Sequence, residues 1–329
     1  MTIRVEAVNI AKRFSRKSGL IERGLEALNL KKPNPVVHAL DGVSISVSQG
    51  EVVGIVGESG CGKSTLGRVI AGLLEPSSGE VRLKNIPVKA LTAKETLTER
   101  LKVQMIFQDP TSSLNPRQRL KDIIGAAPLH HGLTSRKELF GYVETQMRRA
   151  GLDPALMDRF PHQLSGGQRQ RVGIARALAV NPDVLICDES VAALDVSIQA
   201  QVINLFMDLR EELGLTYVFI SHDLSVVQHI SHRVIVMYLG RVVEEAPVEV
   251  LFSSPAHPYT RALLNERPSL DLEKKTYTTI TGEIPSPLAP PSGCHFHPRC
   301  PLAMDRCRVE RPALRQLSAG HNSACHLND

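Results

Sequence analysis

The hydrophobic pattern changes period several times along the chain, and each change predicts an element. Residues 3–10, IRVEAVNI, alternate apolar and polar side chains, as a strand does when one face is buried and the other is wet. Residues 16–36 mix charge with Gly and Pro and keep no steady period, so they read as an inserted loop. The run VSISVSQGEVVGIVG predicts a hairpin: an alternating strand, a turn at SQGE, then an apolar strand. Its second half, EVVGIVG, is nearly all apolar and suits a strand buried on both faces. KSTLGRVIAGLL then spaces its apolar residues as a helix does. Residues 115–180 hold several helical stretches and no strong strand, which predicts a helical subdomain. DVLICD and TYVFISHD are short apolar runs ending in polar residues, and HRVIVMYLGRVVEEA predicts a late strand pair about Leu239 and Gly240. Strand and helix patterns alternate through the middle of the chain, so the fold class predicted is α/β with a parallel sheet. After about residue 255 the segments SSPAHPYT and GEIPSPLAPPSG bring in Pro, Ser and Gly around a short helical patch near RALLNE. That shift predicts a small irregular C-terminal extension.

Composition narrows the setting. A length of 329 residues allows one large domain or two modest ones, and an apolar share of 42% is enough for a sizeable core. The formal charge of +5 comes from 39 basic and 34 acidic residues, with no basic block that argues for nucleic acid as a partner. The N-terminal MTIRVEAVNIAKRF lacks the apolar core of a signal peptide, and no apolar run approaches the roughly 18 residues of a membrane helix. A cytosolic setting with reduced thiols is expected. Six cysteines occur in all, four of them at 294, 300, 307 and 325. In a reducing compartment four clustered thiols suit a metal better than disulfides.

GESGCGKST, residues 57–65, fits G-x-x-x-x-G-K-[ST] between an apolar strand and an apolar-faced helix. Gly57, Gly60 and Gly62 let the backbone turn tightly and aim its N–H groups at phosphate oxygens. Lys63 reaches the β- and γ-phosphates, and Ser64, followed by Thr65, can ligate Mg²⁺. LSGGQRQRVGIARAL begins at Leu164. Its Ser165, Gly166, Gly167 and Gln168 open a second anion-friendly helix N-terminus. One nucleotide does not need two phosphate cradles in one subunit, but two copies facing head to tail use both. DVLICDES then sets Asp188 at a strand end for the Mg²⁺ shell and Glu189 beside it to polarise an attacking water.

With these motifs in order over residues 3–250, the chain resembles the ATPase subunit of an ABC transporter. The resemblance implies a P-loop ABC ATPase core at 1–255, with the helical subdomain at about 110–180 and the extension at 256–329. It implies ATP hydrolysis with Mg²⁺. Phe14 corresponds to the aromatic that stacks on adenine, and Gln108 to the glutamine that touches Mg²⁺ and the attacking water. Asp195 corresponds to the aspartate signalling across the dimer, and His222 to the switch histidine on the γ-phosphate. The chain departs from the family's D-E-P-x-S-A-L-D at Ser190 and Ala192. Glu189, Asp195 and His222 remain, so hydrolysis is still implied, and the departures bear on its rate and symmetry.

Only about 100 residues without sustained heptads separate the P-loop from the signature, unlike a DNA-repair ABC ATPase. A single cassette is unlike the translation-type proteins, and no membrane domain is fused as in exporters. The tail, with FQDPTSSLNPR and ALDVSIQAQV, is similar to the ATPases of oligopeptide/dipeptide importers. That likeness implies a partner ATPase, two transmembrane permease subunits and an external binding protein, with this chain at the cytoplasmic face of the inner membrane. Relatives with such a tail also import nickel, glutathione or sugars. Some carry an iron–sulfur cluster there, and the resemblance implies a [4Fe–4S] cluster on Cys294, Cys300, Cys307 and Cys325, since the spacing lacks the tight C-x₂-C pairs typical of zinc. Zinc, with His295, His297, His321 or His326 as substitute ligands, and free thiols are the alternatives.

Overall fold

The computed structural model describes residues 2–15, 34–192, 194–266, 280 and 282–329. All but residues 34–36 of the inserted loop expected at 16–36 lies outside them. β1 (Ile3–Ser15) and β2 (Val36–Ser48) pair antiparallel, with Glu6 opposite Ser46 and Phe14 opposite Val37. β3 (Val52–Val56) follows β2 after a turn, but the two do not form the expected hairpin. β2 alternates and stays in an antiparallel sheet, whereas every residue of β3 is buried, which only a central strand covered on both faces permits. β4 (Ser78–Leu83) joins β1 and β5 (Ile86–Pro87) to complete the order β2-β1-β4-β5.

β3 sits instead in an eight-stranded sheet. Its neighbours are β8 (Thr216–Ile220) and β9 (Arg233–Tyr238), both parallel to it; β7 (Val184–Asp188) and β6 (Val103–Ile106) continue the parallel run. β10 (Arg241–Pro247) returns antiparallel to β9, the strand pair the sequence predicts about Leu239 and Gly240. The C-terminal extension then adds β11 (Arg315–Ser318) and β12 (His321–Ser323), giving the order β11-β12-β10-β9-β3-β8-β7-β6. The extension is therefore hydrogen-bonded into the main sheet, with Glu244 opposite Ser323.

Helices cover the sheet. α1 (Lys63–Ile70) follows β3 and lies so close that a Cβ on Gly67 would come 2.9 Å from Ile220 Cδ1. α2 (Ala93–Leu101) opens on a capping box between Thr92 and Glu95. Between β6 and β7 run α3 (Pro110–Ser113), α4 (Leu120–His130), α5 (Leu139–Arg149) and α6 (Gly166–Leu178), with no strand among the described residues. α7 (Val196–Leu213), α8 (Leu224–Ile230), α9 (Val248–Ser253), α10 (Pro258–Asn265) and α11 (Asp305–Val309) complete the set.

Alternate residues of β3, β7 and β8 bury into two different cores, one on each face of the sheet. Val53, Ile186 and Ile220 pack with Val5, Ile10 and Val47 of the antiparallel sheet. Val56, Cys187 and Phe219 pack with Ile124, Val143 and Phe206 of the helical layer. A fully buried side chain of this size contributes about 1.5–3 kcal/mol. The packing brings the C-terminal ends of β3, β7 and β8 together, where their loops carry the polar residues of the site.

Candidate functional site

The loop between β3 and α1 is glycine-rich because its backbone has no room for side chains. Gly57 has φ +147, and a Cβ there would stand 2.2 Å from the Met237 carbonyl oxygen. Gly62 has φ +106 and caps α1, with the Ala39 carbonyl oxygen 2.4 Å from where a Cβ would be. Lys63 is buried, and its ammonium donates to the carbonyls of Gly57 (2.7 Å) and Glu58 (3.0 Å).

Two neighbouring clusters face this loop. Ser64 donates its hydroxyl proton to Asp188 Oδ1 at 2.7 Å. Burial pushes the Asp188 carboxyl above its usual range, an effect the Ser64 hydrogen bond and the charge of Arg68 oppose. Arg68, which no motif singles out, lines the cleft with Gln108 and Asp188. In the second cluster the Gln108 amide donates to Glu189 Oε2 at 2.5 Å, and His222 Nδ1 lies 3.7 Å from the same oxygen. Glu189 has φ +45, a strained conformation of the kind that gathers at functional sites. Its neighbour Ser190 is buried, and Ala192 is exposed.

Other expected residues lie apart from these clusters. Ser165 caps α6 by accepting from the Gln168 N–H at 3.2 Å, while Gln168 Oε1 accepts from the Ser165 N–H at 3.0 Å. Among the described residues no hydrogen bond joins this turn to the P-loop. Gly167 has no room beside α7, where a Cβ would be 2.7 Å from Ile198 Cγ2, while at Gly166 the nearest atom would be 3.9 Å away. Asp195 is exposed at the start of α7 and caps it with no side-chain hydrogen bond. Phe14, at the end of β1, is 40% exposed with the Lys12 ammonium 5.2 Å over its ring.

Cys294, Cys300, Cys307 and Cys325 line one cavity with Phe296, Leu302, Leu327 and His257. All four are free thiols, and burial raises Cys294 to about 11. Thiols are the donor type that zinc and iron–sulfur centres use. Among the described residues, however, no group of three or more His, Cys, Asp or Glu is gathered closely enough to hold a metal ion. Of the alternative ligands, His297 and His326 also line the cavity, while His321 donates toward Glu244 at 2.8 Å and His295 toward the Leu239 carbonyl at 3.1 Å. No described helix is long and apolar enough to cross a membrane.

Comparison with known proteins matches both parts. Residues 40–192 match the family described as ABC transporter, and residues 243–307 match the oligopeptide/dipeptide transporter C-terminal region. A probable peptide ABC transporter ATP-binding protein of Sinorhizobium fredii is 49% identical over 304 residues, covering 92% of this chain and 86% of that protein. The oligopeptide transport ATP-binding protein AppF of Bacillus subtilis is 46% identical over 327 residues, 98% of this chain and 97% of its own. Among solved structures, the cassette MJ0796, a dimer in a post-hydrolysis state with ADP and phosphate, aligns with a TM-score of 0.62 at 31% identity, covering 74% of this chain and 98% of that one. CbiO1 of Clostridium perfringens, part of an ABC transporter complex, also aligns at 0.62, with 28% identity, covering 77% and 92%.

Proposed function

The chain belongs to the ATP-binding subunits of the oligopeptide/dipeptide ABC transporters, and from that premise we propose that Glu189 is the base of its ATPase site, with Gln108 and His222 as its partners. Its activity is ATP hydrolysis that powers peptide import. The observation that carries the assignment is the shared oxygen: Gln108 and His222 both converge on Glu189 Oε2. Magnesium, when bound, neutralises phosphate charge; Ser64, Asp188 and Gln108 are the residues that would hold it. Lys63 and the loop Gly57–Thr65 bind the phosphates. Glu189 accepts a proton from the water that attacks the γ-phosphorus, the bond to the bridging oxygen breaks, and ADP and phosphate leave. The hydrogen bond from Gln108 fixes the orientation of the carboxylate and leaves Oε1 to accept the proton.

ATP lies between the P-loop of one ATPase and Ser165–Gln168 of its partner, a related chain, with Asp195 at the seam and Phe14 on the adenine. Two permease subunits and an external binding protein complete the importer, with this chain on the cytoplasmic face of the membrane. Glu189→Gln is expected to keep ATP binding, lose turnover and hold the dimer closed; wild-type turnover by the purified variant would show that another group is the base.

For the tail, we propose a [4Fe–4S] cluster on Cys294, Cys300, Cys307 and Cys325. The convergence of four thiols on one apolar-walled cavity supports this reading. The cluster's role is structural, stapling a proline-rich segment. Anaerobic purification is expected to give a brown protein with absorbance near ~400 nm that dithionite bleaches and Cys300→Ser abolishes. A colourless protein with one zinc and no iron, made with iron supplied, would overturn it.

A further inference from the structure

The first variable residue of the P-loop is an acid. Glu58 lies five residues before Lys63, in a loop built to hold a polyanion, and its carboxylate opposes that task by charge. The structure answers from the far end of the sequence. Arg299 grips Glu58 with both terminal nitrogens, at 2.7 and 2.9 Å, across 241 residues. The Arg299 side chain is 5% exposed and that of Glu58 20%, so water screens the pair little. Arg299 Nη1 also lies 3.3 Å from the Tyr238 hydroxyl, within the aromatic cluster of Tyr238, Tyr259 and Phe296.

The backbone of Glu58 is held as well. Its N–H donates to the Tyr259 hydroxyl at 2.9 Å, and its carbonyl accepts from the Lys63 ammonium at 3.0 Å. Glu58 is thus tied on one side to the lysine that meets phosphate and on the other to α10 and the extension. Arg299 is itself fixed by a short turn: His297 N–H donates to the Cys294 carbonyl at 3.0 Å, and Arg299 N–H to that of Phe296 at 3.0 Å.

We propose that Arg299 is a positioning residue for ATP, acting through Glu58: it cancels the acid's charge and fixes the first turn of the P-loop, so the extension supports the nucleotide site within the same chain. This rests on the P-loop binding ATP, as set out above. Charge cancellation has a signature that scaffolding lacks. Removing Arg299 leaves a bare carboxylate near the phosphates and weakens binding, whereas removing the acid as well takes the repulsion away.

The test is calorimetric titration of the full-length chain with ATP and magnesium. Arg299→Met is expected to weaken ATP about tenfold, the effect of one unbalanced charge at a partly shielded site. Glu58→Gln alone is expected to bind at least as tightly as wild type, and the double variant to return to within about threefold of it, the two substitutions being coupled. Binding by Arg299→Met at wild-type affinity would overturn the proposal, and so would a double variant as weak as Arg299→Met. If Arg299→Met does not fold, Glu58→Gln decides: a loss of about tenfold there contradicts charge cancellation. A wild-type chain that binds no ATP would instead refute the nucleotide-site reading itself.

Discussion

At the scale of single residues, backbone geometry and burial set the sharpest expectations. Gly62 caps α1 in a left-handed conformation with a carbonyl where a side chain would go. Gly62→Ala is expected to destabilise the chain by about 1–2 kcal/mol from backbone strain alone, and by more from the clash. Urea unfolding reads the first effect and ATP titration the distortion of the loop; an unchanged midpoint would contradict the geometry. His257 offers a pH test. Burial depresses it from 6.5 to about 3, and its Nδ1 accepts the Tyr259 N–H at 3.0 Å as the cap of α10. The unfolded chain therefore takes up a proton below pH 6.5 that the folded chain refuses. Stability is fully present above that pH and falls as pH drops toward about 3, by up to ~1.4 kcal/mol per pH unit. His257→Asn keeps a capping acceptor without titrating. The wild type is expected to lose stability faster than this variant across that range in urea melts, and parallel profiles would refute the assignment.

At the scale of elements, the turn into α6 decides whether two cassettes can close on ATP. A Cβ at Gly166 would meet nothing closer than Leu194 Cδ2 at 3.9 Å, so Gly166→Asp is expected to fold and to bind ATP at its own P-loop. The new carboxylate then meets the partner's γ-phosphate, and like charges at contact cost several kcal/mol where water is excluded. Light scattering with ATP and the partner ATPase should show this chain staying unpaired when Gly166→Asp is combined with Glu189→Gln, which otherwise holds the dimer closed; a closed dimer would count against the head-to-tail seam. Gly167→Ala should fail differently, through its clash with Ile198, as a lower unfolding midpoint. Much at this scale was legible in the sequence, because β3, β7 and β8 are apolar runs and β9 and β10 surround an obvious turn, while the parallel β6, which Gln104 interrupts, carries no such run. The supposed hairpin was not, since periodicity finds a strand but does not say which sheet takes it. β2 and β3 are adjacent in sequence and lie in different sheets. β11 was invisible for a plainer reason: all four of its residues are exposed, so it carries no hydrophobic pattern at all.

At the scale of the whole molecule, the P-loop was legible because its motif is local, a few residues with a fixed spacing, whereas Gln108 and His222, far from Glu189 in sequence, came only with the family resemblance. What the motifs missed are contacts that close large loops. Nothing near Glu58 or Arg299 in sequence announces that they pair, and an arginine beside a cysteine reads as solvent-exposed until the fold brings it home. β12 is a feature of the same kind, extending the main sheet by pairing with β10 from about 77 residues downstream. A ribosome adds roughly 5–20 residues per second. For about 4–15 s after β10 emerges its outer edge has no native partner in existence, and an open edge is a template for any other extended chain. The nascent cassette thus passes through a window in which its own completed half is the species most prone to misassociate, and slowing translation after residue 247 should lower its soluble yield.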